Sequence, residues 1–218
     1  MENRNAGDAN SIDPSLFGTM YQNYIKKMQL PPSISVLDLG ANCGGFSLML
    51  LTMGYTLDKL LAVEMNPRTF SRLQFNLYHN ISPLPTAINC AITGKEQICQ
   101  IDDISGDTGQ SIFENTTDTL ISVPGTTIDA IISHHFPDSR INLCKIDIEG
   151  AEYDVVEKMN YKLLTKCDYI IIEIHKNSKY GISYIKDALI SLGFIEQFID
   201  AQTHSDVFCF ENTFKTNS

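Results

Sequence analysis

The sequence predicts an α/β domain with a doubly wound, mostly parallel sheet of seven strands, an antiparallel hairpin at its C-terminal edge and a small β-hairpin insertion. Three observations predict it. From Val36 onward, short apolar runs alternate with segments of helical periodicity, the order of repeated βαβ units. A glycine-rich turn, Gly40 to Gly45, joins the first run to the first helix-like segment. The run holding Ile170, Ile171, Ile172 and Ile174 is apolar at consecutive positions, as a strand covered on both faces requires.

The elements follow in order. Residues 1–13 are polar and read as a disordered tail. Residues 14–218 read as a single domain, long enough to bury a real core. Pro14 to Met28 places Phe17, Met20, Tyr21, Tyr24, Ile25 and Met28 at helical spacing, as an end-cap or a lid. Val36 to Leu39 is the first strand, and a helix from Phe46 to Met53 ends at Gly54. Lys59 to Glu64 is the second strand. A helix from Pro67 to Tyr78 puts Phe70, Leu73 and Leu77 on one face. Pro85 to Ile92 reads as the third strand. Residues 96–123 alternate, turn through a Gly- and Ser-rich stretch and return, which reads as an inserted hairpin. A helix from Thr127 to Ser133 has Thr126 or Thr127 as its cap. Ile141 to Ile148 is the fourth parallel strand, Ala151 to Met159 a helix, and Asp168 to His175 the fifth strand. A helix from Ile182 to Leu192 stops at Gly193. Phe194 to Ile199 and Asp206 to Phe210 pair across Ala201 to Ser205 as the edge hairpin.

The composition narrows the function. The formal net charge is -10 over 218 residues, which disfavours a broad nucleic-acid footprint, because phosphate binding needs clustered Lys and Arg. The longest apolar runs are too short to span a membrane, and the polar N-terminus lacks the apolar core of a secretory signal. The six cysteines show neither C-x-x-C pairing nor zinc spacing, so a reducing, cytoplasmic setting is expected. The sequons at Asn80 and Asn115 are then incidental. Nothing in the sequence specifies an oligomeric state.

Two constellations carry chemistry. The first is Val36-Leu-Asp-Leu-Gly-Ala-Asn-Cys-Gly-Gly-Phe-Ser47. Strand, glycine turn and helix make a nucleotide-type pocket, since glycine lets a ligand approach the backbone and the helix start offers free N–H groups. Asn42 stands where a dinucleotide fingerprint has its second glycine, and Asp38 precedes Gly40. Glu64 closes the second strand about 20 residues on, where a carboxylate accepts from both hydroxyls of a ribose. The second constellation lies at the ends of strands four and five. Period-two geometry puts Lys145, Asp147 and Glu149 on one side, and likewise Glu173 and His175. Adjacent strands bring these charges together beside the glycine loop. They form either a self-satisfied ion-pair cluster with Lys145 or a reactive centre.

The D-x-G-x-N-x-G pattern of Asp38 to Gly44 is similar to motif I of class I S-adenosylmethionine (SAM) methyltransferases. Lys145-Ile-Asp-Ile-Glu-Gly-Ala-Glu152, followed by Ile171-Ile-Glu-Ile-His175, resembles the signature of the FkbM family of those enzymes. Val63-Glu-Met-Asn-Pro67, Asn89 to Gly94 and Val123-Pro-Gly-Thr-Thr-Ile-Asp129 resemble its other motifs, so the likeness runs from about Val36 to Phe210. Met65 stands where Pro is common in the family, and Gly125-Thr126 replace its usual residues. The resemblance implies a Rossmann-like methyltransferase acting on hydroxyls of sugars or other small molecules. It implies SAM lying over Gly40, Ala41, Asn42, Gly44, Phe46 and Ser47. Asp38 would support its amino group, Asp147 would face it, Glu64 would hold the ribose, Met65 would pack on the adenine, and Asn89 and Ala91 would line its edge. For the chemistry, His175 is the expected base, oriented by Asp147 or Glu173, with Glu149 beside them. A variant has Asp147, Glu149 and Glu173 holding Mg²⁺, or Mn²⁺ if His175 joins them. Two rival readings remain. One is an RNA 2′-O-methyltransferase using Lys26 or Lys27, Asp147, Lys176 and Glu196 or Glu211, against which the acidic balance weighs. The other is a SAM-binding domain without catalysis.

Overall fold

The computed structural model describes residues 20–102, 119–197 and 206–215. The expected tail, the start of the N-terminal helix, the Gly- and Ser-rich turn of the insertion and the 201–205 connection lie outside the described residues. Within them the chain runs α1 (Met20–Ile25), β1 (Ser33–Leu39), α2 (Gly45–Thr52), β2 (Thr56–Glu64), α3 (Pro67–Asn80), β3 (Thr86–Asn89), β4 (Ala91–Ile92), β5 (Gln97–Asp102) and β6 (Leu120–Thr126). It continues α4 (Ile128–His135), β7 (Ile141–Ile146), α5 (Glu152–Glu157), a 3₁₀ turn (Lys162–Lys166), β8 (Cys167–Glu173), α6 (Ile182–Ser191), β9 (Phe194–Gln197) and β10 (Val207–Asn212).

Seven strands form the main sheet in the order β3-β2-β1-β7-β8-β10-β9. All neighbours are parallel except at β10, which runs antiparallel to both β8 and β9. The chain winds outward from β1 through β2 to β3, then crosses back to lay β7 on the other side of β1. The order reverses between β1 and β7, and a crevice opens at the carboxyl ends of strands at such a point.

The central strands are apolar on both faces because helices cover both. Leu37, Leu39, Cys144, Ile146, Ile170 and Ile172 share one core with α4, α5 and α6. Val36, Leu143, Tyr169 and Ile171 share the other with α1, α2 and α3. Asp38 and Lys145 alternate onto this second face, and strand register sets them side by side. Two buried opposite charges on adjacent parallel strands are thus a consequence of period-two geometry alone.

Two expectations change. The third strand does not run unbroken: β3 ends at Asn89 in the main sheet, and β4 begins at Ala91 in a second, three-stranded sheet ordered β4-β6-β5. The insertion is the antiparallel pair β5–β6, and β4 anchors it by pairing with β6. The fourth strand stops at Ile146 rather than Ile148, because Glu149 (φ 53°) and Gly150 (φ 94°) take left-handed conformations that turn the chain into α5.

Gly40 shows how tightly β1 and β7 close. Its φ is +75°, and a Cβ there would lie 1.6 Å from the Asp147 carbonyl oxygen. Gly54 is equally left-handed, at φ +92°, but a Cβ there would meet nothing within 4 Å. Gly40→Ala should therefore cost at least about 3 kcal/mol, against about 1 kcal/mol for Gly54→Ala, whose cost is the conformation alone. Urea unfolding of the two variants checks this, and equal costs would show that the β1–β7 closure tolerates a side chain.

Candidate functional site

Lys145 sits at the floor of the crevice. Its ammonium donates to the Gly40 carbonyl at 2.6 Å, pairs with Asp147 at 3.1 Å and lies 3.8 Å from Asp38. Burial opposes its charge, but Asp147 and Asp38 outweigh burial and hold the lysine protonated. Asp38 has no exposed surface. One of its oxygens accepts from the Ser47 hydroxyl at 2.8 Å, and the other has no hydrogen-bond partner. Burial pushes its pKa up, with Lys145 and Ser47 opposing. Asp38 is closed off from the crevice, so it acts on anything bound there through Lys145 and through Ser47 in α2.

The glycine loop is held by its neighbours. Gly40 and Ala41 N–H groups both donate to the Val63 carbonyl, at 3.0 and 2.8 Å. Asn42 is left-handed (φ 48°), and its side chain accepts from the Cys43 N–H. Gly44, also left-handed, begins α2 without any side-chain cap, leaving the first N–H groups of that helix open. Phe46 and Ser47 are buried in its first turn. Glu64 faces this loop from the end of β2. One of its oxygens accepts from the Asn42 N–H at 3.0 Å and the other from the Asn66 N–H at 2.8 Å. Burial raises its pKa to about 7, with those two N–H groups opposing. Each oxygen retains a further lone pair, so the carboxylate is oriented by the loop and still able to accept. Asn89 donates to the carbonyls of Glu64 and Met65, at 2.8 Å each, and so fixes the turn after β2. Ala91 is buried in the small sheet's core, with Met65 packed against it.

At the ends of β7 and β8 the expected charges do converge. His175 Nε2 lies 3.0 Å from Glu149, 3.9 Å from Glu173 and 4.0 Å from Asp147, and Nδ1 lies 3.1 Å from Glu152. Burial lowers the imidazole's pKa, but Glu149 and Glu152 raise it to about 11. The expectation that His175 is the base meets a different environment, in which these carboxylates make the imidazole hold its proton more tightly than a free one. Between two carboxylates it is an imidazolium at neutral pH and has no lone pair to offer. Glu173 moves the other way: burial and the charge of Asp147 push it up to about 7. Asp147, Glu149 and His175 place one ligand atom each within 4.8 Å of one another. His175 thus takes the place of Glu173 in the expected metal set. The residues named for the other lysine-based constellation have other ion-pair partners or are exposed. Glu196 pairs with Lys186 and Glu211 with Lys215. Glu211 lies opposite Tyr169, four residues down β8 from Glu173. Lys26, Lys27 and Lys176 are exposed.

Two residues at the site escape a reading of the sequence. Glu152, only 2% exposed, is the inner partner of His175. Its signal is an acidic residue in the first turn of a helix, which ordinarily means a solvated helix start. Tyr21, from α1, is buried against Phe46 and lies in the field of Lys145, Asp147 and Glu173.

The match to known proteins agrees with this layout. The model of the methyltransferase FkbM domain family matches residues 38–205. Methyltransferase 1 of Beauveria bassiana is 26% identical, over 75% of this chain and 73% of that protein. Among solved structures, methyltransferase FkbM from Methylobacillus flagellatus superposes with a TM-score of 0.62 at 16% identity, covering 88% of this chain. The chain spans 47% of the length of that structure. Magnesium protoporphyrin IX methyltransferase from Synechocystis, solved with bound SAM, gives a TM-score of 0.51 at 10% identity, over 95% of this chain and 80% of that one. These likenesses show the class I methyltransferase fold.

The paired imidazolium has a consequence for stability. Its folded-state pKa lies above its unfolded value of 6.5, so the native state binds the proton more tightly. The stabilisation is complete below about pH 6.5, declines as pH rises, and is gone above about pH 11. His175→Gln should therefore be destabilising at pH 6 and progressively less so toward pH 10. Thermal unfolding across that range checks it, and a pH-independent difference would mean that His175 is neutral in the fold.

Proposed function

Because the chain belongs to the FkbM methyltransferase family, we propose that it is a SAM-dependent O-methyltransferase acting on a hydroxyl of a sugar or other small acceptor. The observation that carries this reading is the meeting, across the β1–β7 reversal, of an oriented loop carboxylate and a cluster of strand-end carboxylates. The residues present suit SAM. Six carboxylates (Asp38, Glu64, Asp147, Glu149, Glu152 and Glu173) face two cations, Lys145 and His175, among the described residues. That excess of carboxyl groups over cations suits a cofactor carrying a sulfonium and an ammonium, whose charges favour their ionised forms. Asp147 keeps a partly exposed side chain beside Lys145 and has an oxygen with no hydrogen-bond partner.

When bound, SAM supplies a methyl group made electrophilic by its sulfonium. Glu64 accepts the ribose hydroxyls. Asp147, held by Lys145, accepts the ammonium. Glu173, about 30% exposed at the mouth, takes the proton of the acceptor hydroxyl, since a base whose pKa is near 7 is both ionised at neutral pH and basic enough to help. His175 is a positioning residue, an imidazolium that holds Glu149 and Glu173 in place from Glu152. The acidic mouth disfavours phosphorylated or nucleic-acid acceptors. A divalent ion on Asp147, Glu149 and His175 is the second reading. It would need to displace the imidazolium proton, whose charge already serves those carboxylates.

Transfer of labelled methyl from SAM to a panel of sugars and small alcohols tests the proposal. The rate should rise with pH through about 7, as Glu173 ionises, and Glu173→Gln should remove that limb and about 10²-fold or more of the rate. Turnover should survive EDTA. An unchanged pH limb in Glu173→Gln would refute the base assignment, and EDTA inactivation restored by Mg²⁺ or Mn²⁺ would favour the metal.

A further inference from the structure

The N-terminal helix reaches into the crevice. Tyr24 donates its hydroxyl to the Val207 carbonyl at 2.9 Å, and the Gln29 N–H donates to the Tyr169 hydroxyl at 3.0 Å. These bonds, with Ile25 fully buried, dock α1 over β8 and β10. Tyr21 then packs edge-to-face on Phe46, with ring centroids 5.3 Å apart at 84°. Phe46 lies in the first turn of α2, next to the glycine loop. Tyr21 is 4% exposed. Its phenol lies in the field of Lys145, Asp147, Glu173 and Asp38, so it bridges the cofactor loop and the strand-end charges.

Its hydroxyl is the unspent donor there. The interactions of the Tyr21 side chain among the described residues are its ring contact with Phe46 and the charges around its hydroxyl, with no hydrogen bond among them. The cations are already engaged: Lys145 by Gly40, Asp147 and Asp38, and both nitrogens of His175 by carboxylates. Burial raises the phenol's pKa, as do Asp147 and Glu173, with Lys145 opposing, so it remains protonated and a donor. An amino-acid zwitterion placed in this crevice would find acceptors for its ammonium and almost no donors for its carboxylate. The uncapped start of α2 and the Tyr21 hydroxyl are donors beside the glycine loop that are not taken up by these carboxylates.

We infer that Tyr21 is a cofactor-binding residue whose hydroxyl donates to the α-carboxylate of SAM, so that α1 closes the amino-acid end of the site. The inference rests on the SAM reading above. It makes the N-terminal helix part of the binding site as well as part of the core.

The test is calorimetric titration of the full chain with S-adenosylhomocysteine (SAH) and with 5′-methylthioadenosine, which keeps the adenosine and the sulfur but lacks the amino-acid tail. Tyr21→Phe keeps the ring on Phe46 and removes only the hydroxyl. It should weaken SAH about 10-fold, as loss of one hydrogen bond to a charged group does, and leave methylthioadenosine unchanged. A general packing defect would weaken both ligands alike, and that outcome overturns the inference, as does unchanged SAH affinity. Independently of any substitution, 3-fluorotyrosine placed at position 21 should shift its ¹⁹F resonance with SAH and not with methylthioadenosine. A resonance blind to SAH overturns the assignment. Wild type that binds neither SAM nor SAH would remove the cofactor reading itself. SAH binding that is indifferent to Tyr21→Phe would remove only this extension.

Discussion

The ammonium of Lys145 is the constraint on which the rest of the site depends. It joins three segments distant in sequence: the end of β1 at Asp38, the glycine loop at Gly40 and the end of β7 at Asp147. A charge in the interior is costly to desolvate, and it persists only where partners outweigh that cost. Here they do, and removing one partner from such a buried set typically costs about 3–5 kcal/mol. The loop's carbonyl is thereby turned inward, toward Lys145. The same geometry forces glycine at position 40, because the Asp147 carbonyl occupies the space a side chain would need.

From that centre the crevice divides into two electrostatic regimes. On the β2 side, Glu64 is held by backbone N–H groups and is a rigid acceptor. On the β8 side, carboxylates crowd together, and the crowding sorts their roles. His175 is driven to carry a proton, while Glu173 is left about half ionised near pH 7. Groups whose environments push their pKa values apart take different parts in a proton transfer. Lys145 lies between the two regimes and couples the loop to the strand-end carboxylates while staying buried.

Much of this is legible in the sequence, for reasons of period and spacing. The alternation that puts Asp38 and Lys145 on one face is a property of strands, as is the run of isoleucines in β8. The glycine loop and Glu64 declare themselves by residue type and separation. Sequence reasoning fails where tertiary contacts decide. Glu149 reaches His175 from a left-handed turn rather than along a strand, so the period argument names the right residue for the wrong reason. The split at Cys90 between two sheets leaves no mark in an apolar run. Glu152 looks like a solvated helix start because its burial under His175 is set by strand β8, some 20 residues away. His175 looks like a base because an unperturbed imidazole is one; only its two carboxylate neighbours make it a fixed cation.

In the proposed function the Lys145 ammonium organises the crevice for a cationic nucleoside cofactor. Calorimetric titration of SAM into wild type and into Lys145→Met, with thermal unfolding of both, probes this without an acceptor. Wild type should bind SAM, and the variant should still fold, with a lowered midpoint. The variant's SAM affinity should fall by at least about 30-fold, consistent with the loss of a buried charge's interactions. A Lys145→Met protein that binds SAM as tightly as wild type would refute the role given to Lys145, because the loop and the strand-end carboxylates would then be ordered without the ammonium between them.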